Sequence, residues 1–164
     1  MSIPQSGGGP IERHEQLAEY LEAGCKPKAD WRIGTEHEKF GYCKDTLNPL
    51  PYDGERSIRA VLEGLRDRFG WNPVSEGGHI IGLEKDGANV SLEPGGALEL
   101  SGAPLETIHQ TCDEVNEHLR EVKSIADEIG VGFIGLGAAP HWTHDEMPLM
   151  PKGRYKLMDA YMQK

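Results

Sequence analysis

Gly34-Thr35-Glu36-His37-Glu38-Lys39-Phe40-Gly41 and Ser91-Leu92-Glu93-Pro94-Gly95-Gly96-Ala97-Leu98-Glu99-Leu100 place acidic side chains at strand spacing. Alternate residues of a β-strand point to one face, so Glu36 and Glu38 share a face. Around Glu93 and Glu99 the neighbouring Leu92, Leu98 and Leu100 point the other way. If the two strands are neighbours, one face of the sheet is rich in leucine and the other carries carboxylates. Carboxylates crowded together repel one another and are held protonated unless a cation neutralises them. Oxygen-only donors suit Mg²⁺ or Mn²⁺. The bland alternative, a solvated acidic strand face with a surface turn at Pro94-Gly95-Gly96, stays open on residue chemistry alone.

Outward from these strands the chain alternates helices with hairpin-linked strands. Residues 1–10 read as a flexible lead-in. A first helix is expected over Ile11–Ala23, with Leu17, Leu21 and Cys25 as a weak apolar stripe and Gly24 and Pro27 ending it. The strand carrying Glu36 and Glu38 is expected to run from Trp31 to Cys43. Tyr52-Asp53-Gly54 opens a second helix with Asp53 as its N-cap. Ile58, Val61, Leu62, Leu65 and Phe69 follow at helical spacing and Gly70 stops it. Asn72–Ser101 reads as a meander of short strands with turns at Glu76-Gly77-Gly78-His79 and Lys85-Asp86-Gly87-Ala88.

A third helix is expected between Pro104, in its first turn, and Gly130. Its stripe is Leu105, Ile108, Cys112, Val115, Leu119, Val122, Ala126 and Ile129. A buried strand over Val131–Leu136 follows. Tyr155–Lys164 reads as helical without a stop signal, so the chain is expected to end inside an element. The sum is an α+β fold with a largely antiparallel sheet, because hairpins replace regular βαβ units.

Bulk properties narrow the function. The 164 residues suffice for one domain with a real core. A net charge of −10 argues against a nucleic-acid partner, whose phosphates need Lys and Arg. No apolar run approaches the ~20 residues of a membrane helix, and the first residues lack the pattern of a secretory leader. Cys25, Cys43 and Cys112 are too few and too widely spaced for a disulfide framework. They read as reduced thiols in a cytoplasmic protein.

The remaining motifs are weaker. His141-Trp142-Thr143-His144-Asp145-Glu146 lacks the four N or S ligands of a structural zinc. A histidine after a strand end is instead placed to touch a substrate. Lys152-Gly153-Arg154-Tyr155-Lys156 is a basic cluster in an acidic chain, suited to a carboxylate or phosphate or simply to a solvated helix start. Gly132-Phe133-Ile134-Gly135-Leu136-Gly137 has neither the Rossmann nor the P-loop order. Cys112 lies on the expected apolar stripe of the third helix and reads as core.

Arg32-Ile33-Gly34-Thr35-Glu36-His37-Glu38-Lys39-Phe40-Gly41 resembles the signature strand of plant-type glutamate–cysteine ligases, which also occur in proteobacteria. The segment Ser91–Leu105 is similar to that family's second acidic block, and Met150-Pro151-Lys152-Gly153-Arg154-Tyr155-Lys156 to a third. The resemblance runs from about Ile11 to Lys164 and covers only the N-terminal portion of such enzymes.

The resemblance implies a glutamine synthetase-like fold, a curved antiparallel sheet with helices on one face, here incomplete. Residues 11–164 would be the N-terminal part of the catalytic domain, with a missing C-terminal portion as partner. It also implies ATP-dependent joining of the L-glutamate γ-carboxylate to the amino group of L-cysteine through a γ-glutamyl phosphate, the first step of glutathione synthesis. Glu36, Glu38, Glu93 and Glu99 would be the ligands of Mg²⁺ or Mn²⁺. Arg154 and Lys156 would serve catalysis, and Arg154, Tyr155 and His141 substrate binding. The alternatives are a ligase with another amine acceptor and a non-catalytic fragment that binds metal.

Overall fold

The structure is a computed structural model and describes residues 8–139 and 141–162. A six-stranded antiparallel sheet has the order β2-β3-β4-β5-β1-β6. Its strands are β1 (Glu36–Cys43), β2 (Asn72–Glu76), β3 (His79–Lys85), β4 (Ala88–Leu92), β5 (Leu98–Ser101) and β6 (Val131–Ile134). The helices are α1 (Glu15–Glu22), α2 (Ile58–Phe69), α3 (Ile108–Ile129) and α4 (Gly153–Met162). The expected α+β architecture is therefore observed.

The meander forms where local chemistry demands it. Gly77 and Gly78 have φ of 57° and 85°, and Asp86 and Gly87 have 50° and 86°. Two successive left-handed residues between paired strands make a type I′ hairpin, whose twist matches that of the strands. Glycine at the second position of each turn avoids the Cβ clash.

Leu83, Val90, Leu92, Leu98 and Leu100 are fully buried on one face of the sheet, against Ile58, Val61, Leu62 and Leu65 of α2 and Val122, Ile125 and Ala126 of α3. Each such side chain contributes roughly 1.5–3 kcal/mol by leaving water. α2 and α3 meet at Gly64, where an added Cβ would lie 2.9 Å from Ile125.

Several boundaries differ from expectation. α1 spans only Glu15–Glu22 and buries none of its side chains, so the stripe of Leu17, Leu21 and Cys25 packs against nothing described. β1 starts at Glu36, because Trp31 is exposed and Ile33 makes only an isolated bridge to Leu105. Ser57, not Asp53, caps α2. Its buried hydroxyl accepts from the Ala60 N–H at 3.1 Å and donates to the Gly54 carbonyl at 2.7 Å. Asp53 is instead drawn to Arg59, 2.9 Å away. β6 ends at Ile134, which is already exposed.

α3 is the instructive case. Thr107 caps it in a capping box with Gln110, and Pro104 lies before the cap rather than in the first turn. Its buried face carries Thr111, His118, Glu121, Val122, Ile125 and Ala126, whereas Ile108 and Cys112 are exposed. Val122 and Ala126 of the expected stripe are buried and Val115 and Ile129 pack against the core, so the buried face overlaps that stripe and extends from it to Thr111, His118, Glu121 and Ile125. Glu121 and His118 on this face have buried partners. Trp71 Nε1 donates to Glu121 Oε2 at 2.8 Å, and His118 Nε2 lies 2.8 Å from Lys39 Nζ. A buried polar group that is hydrogen-bonded loses most of its burial penalty.

The lead-in falls partly on residues 1–7 and the end of the last expected helix on residues 163–164, outside the described residues.

Candidate active site

The antiparallel register of β1 and β5 sets Glu38 opposite Glu99 and Glu36 opposite Ser101, while β4 sets Ser91 opposite Glu99. Ser91, Glu99 and Glu38 thus form one row across three strands, on the face turned away from the leucines. Lys39 is paired with Leu98 and His37 with Leu100, so these two basic side chains fall on the helix-covered face. Directly opposed side chains in a ladder stand about 4.5–5.5 Å apart at Cβ. Like charges in that position repel each other.

Glu93 joins the row through a turn. Leu92 pairs with Leu98, and the chain between them folds with Gly95 at φ 75° and Gly96 at φ 79°. The Glu93 N–H donates to the Ala97 carbonyl at 2.8 Å. This two-glycine reversal brings the Glu93 carboxyl group beside that of Glu99.

The electrostatics follow. Glu99 is buried and accepts from the Ser101 hydroxyl at 3.3 Å and from Ser91 at 3.5 Å. Burial, the Glu99 hydrogen bond and the Glu99 charge raise the Glu93 carboxyl above its ordinary range, with Lys152 and Arg154 pulling the other way. Glu38 is raised too, first by partial burial and then by the charges of Glu99 and Glu36. Glu93 Oε1 is buried with no hydrogen-bond partner among the described residues.

The basic cluster docks beside this row. Tyr155 is buried, and its hydroxyl donates to the Leu92 carbonyl at 2.7 Å. Arg154 lies with its guanidinium carbon 5.1 Å from the centre of the Tyr155 ring. Its Nη2 is 3.3 Å from the Tyr155 hydroxyl and 3.7 Å from Glu93 Oε2. The arginine is therefore half-exposed, stacked and tethered to the acidic row. Tyr155 serves in this state as a buried anchor of α4 rather than as a group open to solvent. Lys156 and His141 are exposed, and His141 lies near Glu146.

Glu38, Glu93, Glu99 and Arg154 thus lie side by side, with Glu36 next to Glu38 and opposite Ser101. Among the described residues, no three His, Cys, Asp or Glu side chains stand as a ready-made ligand set. The chemistry nevertheless fits a hard cation. All four offer oxygen donors, the carboxyl groups of Glu38 and Glu93 are raised above their ordinary range, and Glu93 Oε1 lacks a partner among the described residues.

Sequence reasoning missed Lys152 as an individual residue, together with Ser91 and Ser101. Only the register shows that the two serines flank Glu99. A cavity of about 360 Å³ lies on the opposite face, lined by Trp71, Lys85, Leu100, Glu114, His118 and Glu121 among others. None of the four glutamates lines it.

Comparison with known proteins identifies relatives of the chain. The model of Glutamate-cysteine ligase family 2 matches residues 32–164. The chain is 55% identical over 150 residues to chloroplastic glutamate–cysteine ligase A of Oryza sativa subsp. japonica, covering 92% of this chain and 30% of that protein. It is 54% identical over 155 residues to the chloroplastic glutamate–cysteine ligase of Arabidopsis thaliana, covering 94% and 29% respectively. With the Medicago truncatula enzyme the identity is 53% over 150 residues, or 92% and 29%. The chain spans under a third of the length of these relatives.

They also correct one expectation. These relatives are chloroplastic proteins, which overturns the cytoplasmic placement drawn from the cysteines. Unpaired thiols separate reducing from oxidising compartments, not one reducing compartment from another.

Proposed function

The chain belongs to Glutamate-cysteine ligase family 2, and on that premise we propose that it supplies the cation-binding face of an ATP-dependent glutamate–cysteine ligase. The reaction joins the γ-carboxylate of L-glutamate to the amine of L-cysteine. ATP phosphorylates the γ-carboxylate, the amine attacks the acyl phosphate, and phosphate leaves. The observation that carries this reading is the opposition of Glu38 and Glu99 across β1 and β5, with Glu93 beside the same carboxylate.

Glu36, Glu38, Glu93 and Glu99 would hold Mg²⁺ or Mn²⁺. When bound, the metal neutralises charge on the transferring phosphoryl group. The chain's own residues do the rest. Ser91 and Ser101 orient the Glu99 carboxylate by donating to its two oxygens. Arg154, presented on the Tyr155 ring beside Glu93, offers a planar fork suited to the glutamate carboxylate. Lys156, two residues beyond Arg154 on α4 and so on another face of that helix, adds positive charge to the segment, and His141 offers a substrate-side contact from the loop before it.

The test is ADP release with ATP, Mg²⁺, L-glutamate and L-cysteine, on the protein at its natural length. Release that requires both amino acids supports the proposal. Clear preference for a non-thiol amine over cysteine would replace it with another carboxylate–amine ligase.

A further inference from the structure

Lys152 is nearly fully buried, with 1% of its surface exposed, although a lysine ammonium is strongly hydrated. Its Nζ donates to the Leu92 carbonyl at 2.7 Å, and the same oxygen accepts from the Tyr155 hydroxyl at 2.7 Å. A carbonyl has two lone pairs, so both bonds can form at once. Leu92 immediately precedes Glu93, so this one carbonyl fastens the start of α4 to the acidic row. Among the described residues, the charges around Lys152 include Glu76 at the end of β2, Glu93, Glu99 on β5 and Arg154 on α4. Its ammonium lies 5.4 Å from the Tyr155 ring centre. Glu76 also accepts from the Gly153 N–H at 2.8 Å, which draws the β2–β3 hairpin to the same corner.

A hydrogen bond to a neutral carbonyl does not by itself offset the burial of a charge. A glutamine would make that bond without the cost of desolvating an ion. The carboxylates of Glu93, Glu99 and Glu76 offset part of that cost. Glu99 is buried and Glu93 mostly so, and two such groups held together need compensating charge.

We propose that Lys152 is a positioning residue, an internal counter-cation that holds Glu93 and Glu99 together before a divalent cation arrives and competes with that cation for them. The proposal rests on reading the four glutamates as the cation-binding face, and its two arms separate the fates of the two ideas.

The first arm needs no metal. Chemical denaturation is followed in EDTA for the natural-length protein and for Lys152→Gln, Lys152→Arg, Glu99→Gln and Lys152→Gln/Glu99→Gln. Lys152→Gln keeps a donor for Leu92 and removes the charge. It lowers the folding equilibrium constant about tenfold, and Glu99→Gln in the same chain restores most of that loss, as expected for coupled neighbours. Lys152→Arg keeps most of the stability. If Lys152→Gln fails to fold, recovery of folding in the double variant is the expected result. A double variant as impaired as Lys152→Gln alone overturns the proposal, because the lysine would then act only through packing and its carbonyl bond.

The second arm is Mn²⁺ titration of the same proteins without nucleotide. Lys152→Gln binds Mn²⁺ roughly three- to tenfold more tightly, since a competing positive charge is gone. Unchanged or weaker Mn²⁺ affinity in a folded Lys152→Gln overturns the competition. If the wild type binds no Mn²⁺ while the first arm shows coupling, the cation-binding reading fails and the counter-cation role stands.

Discussion

Glu38 of β1 and Glu99 of β5 face each other across an antiparallel ladder, in a register that also opposes Lys39 to Leu98. Two carboxylates are thereby held as direct neighbours on one face. Separating them would require a slip of the register, which would turn Leu98 and Leu100 out of the core. The hydrophobic pattern of the sheet thus enforces an electrostatic conflict on its other side.

The first expectation is an inverse pH dependence of the metal-free stability. Glu38 and Glu93 have carboxyl groups raised above the ordinary value of 4.5. Between that value and their raised native values the folded state binds more protons than the unfolded one. Their contribution to stability therefore falls as pH rises through this window. Melting curves in EDTA should show Glu38→Gln gaining on the wild type as pH rises above about 4.5. Excess Mg²⁺ should erase the difference by stabilising only the wild type. A constant offset at every pH would refute the expectation.

Arg154 gives a kinetic expectation. Its guanidinium stacks on Tyr155 and reaches Glu93. Arg154→Lys keeps the charge but loses the stack and the fork. In the natural-length enzyme KM for glutamate should rise about ten- to hundredfold, the worth of one charge-assisted hydrogen bond. The melting temperature should change little, since the side chain is half-exposed. Equal loss of activity and stability would mark it as structural.

Lys39 is expected to be a source of instability. Burial lowers its ammonium to about 7, from 10.5. The group it meets is His118, itself lowered to about 2 by burial and by the Lys39 charge, so no counter-ion lies in that contact. From pH 7 to pH 10.5 the unfolded chain binds more protons at Lys39 than the native one, so stability from this site rises with pH. Lys39→Met with His118→Phe should stabilise the metal-free protein by about 1–3 kcal/mol at or below neutral pH. The gain should shrink towards pH 10, as urea unfolding at several pH values would show. A gain that grows with pH would contradict this account.

Ser57 provides a purely structural check. Its side chain caps α2 and bonds back to Gly54, and it is completely buried. Ser57→Ala should cost about 1–2 kcal/mol in urea unfolding, and Asp53→Ala less than half of that. The reverse order would restore Asp53 as the cap.

Much of this architecture was legible in the sequence. The opposition of leucines and glutamates needs only the two-residue period of a strand, and the two hairpins need only Gly-Gly and Asp-Gly. Gly70 and Gly130 close their helices in the left-handed conformation, as their positions suggest. What local pattern misreads is polar burial. Counting apolar residues on α3 selects Ile108 and Cys112, whereas the helix buries His118 and Glu121 because Lys39 and Trp71 receive them. Those partners lie 79 and 50 residues away in sequence, beyond any periodicity.

By itself the amino-acid sequence determined the antiparallel sheet, the identity of its acidic face and the family. Each follows from local periodicity, turn stereochemistry or the order of specific motifs. Only the tertiary structure decided that Glu38 meets Glu99, that Tyr155 is an anchor and that Lys152 is buried on Leu92 among carboxylates. These depend on strand register and on the docking of α4. Both are set by summed packing and hydrogen bonding between residues far apart in the chain, which no local stretch encodes.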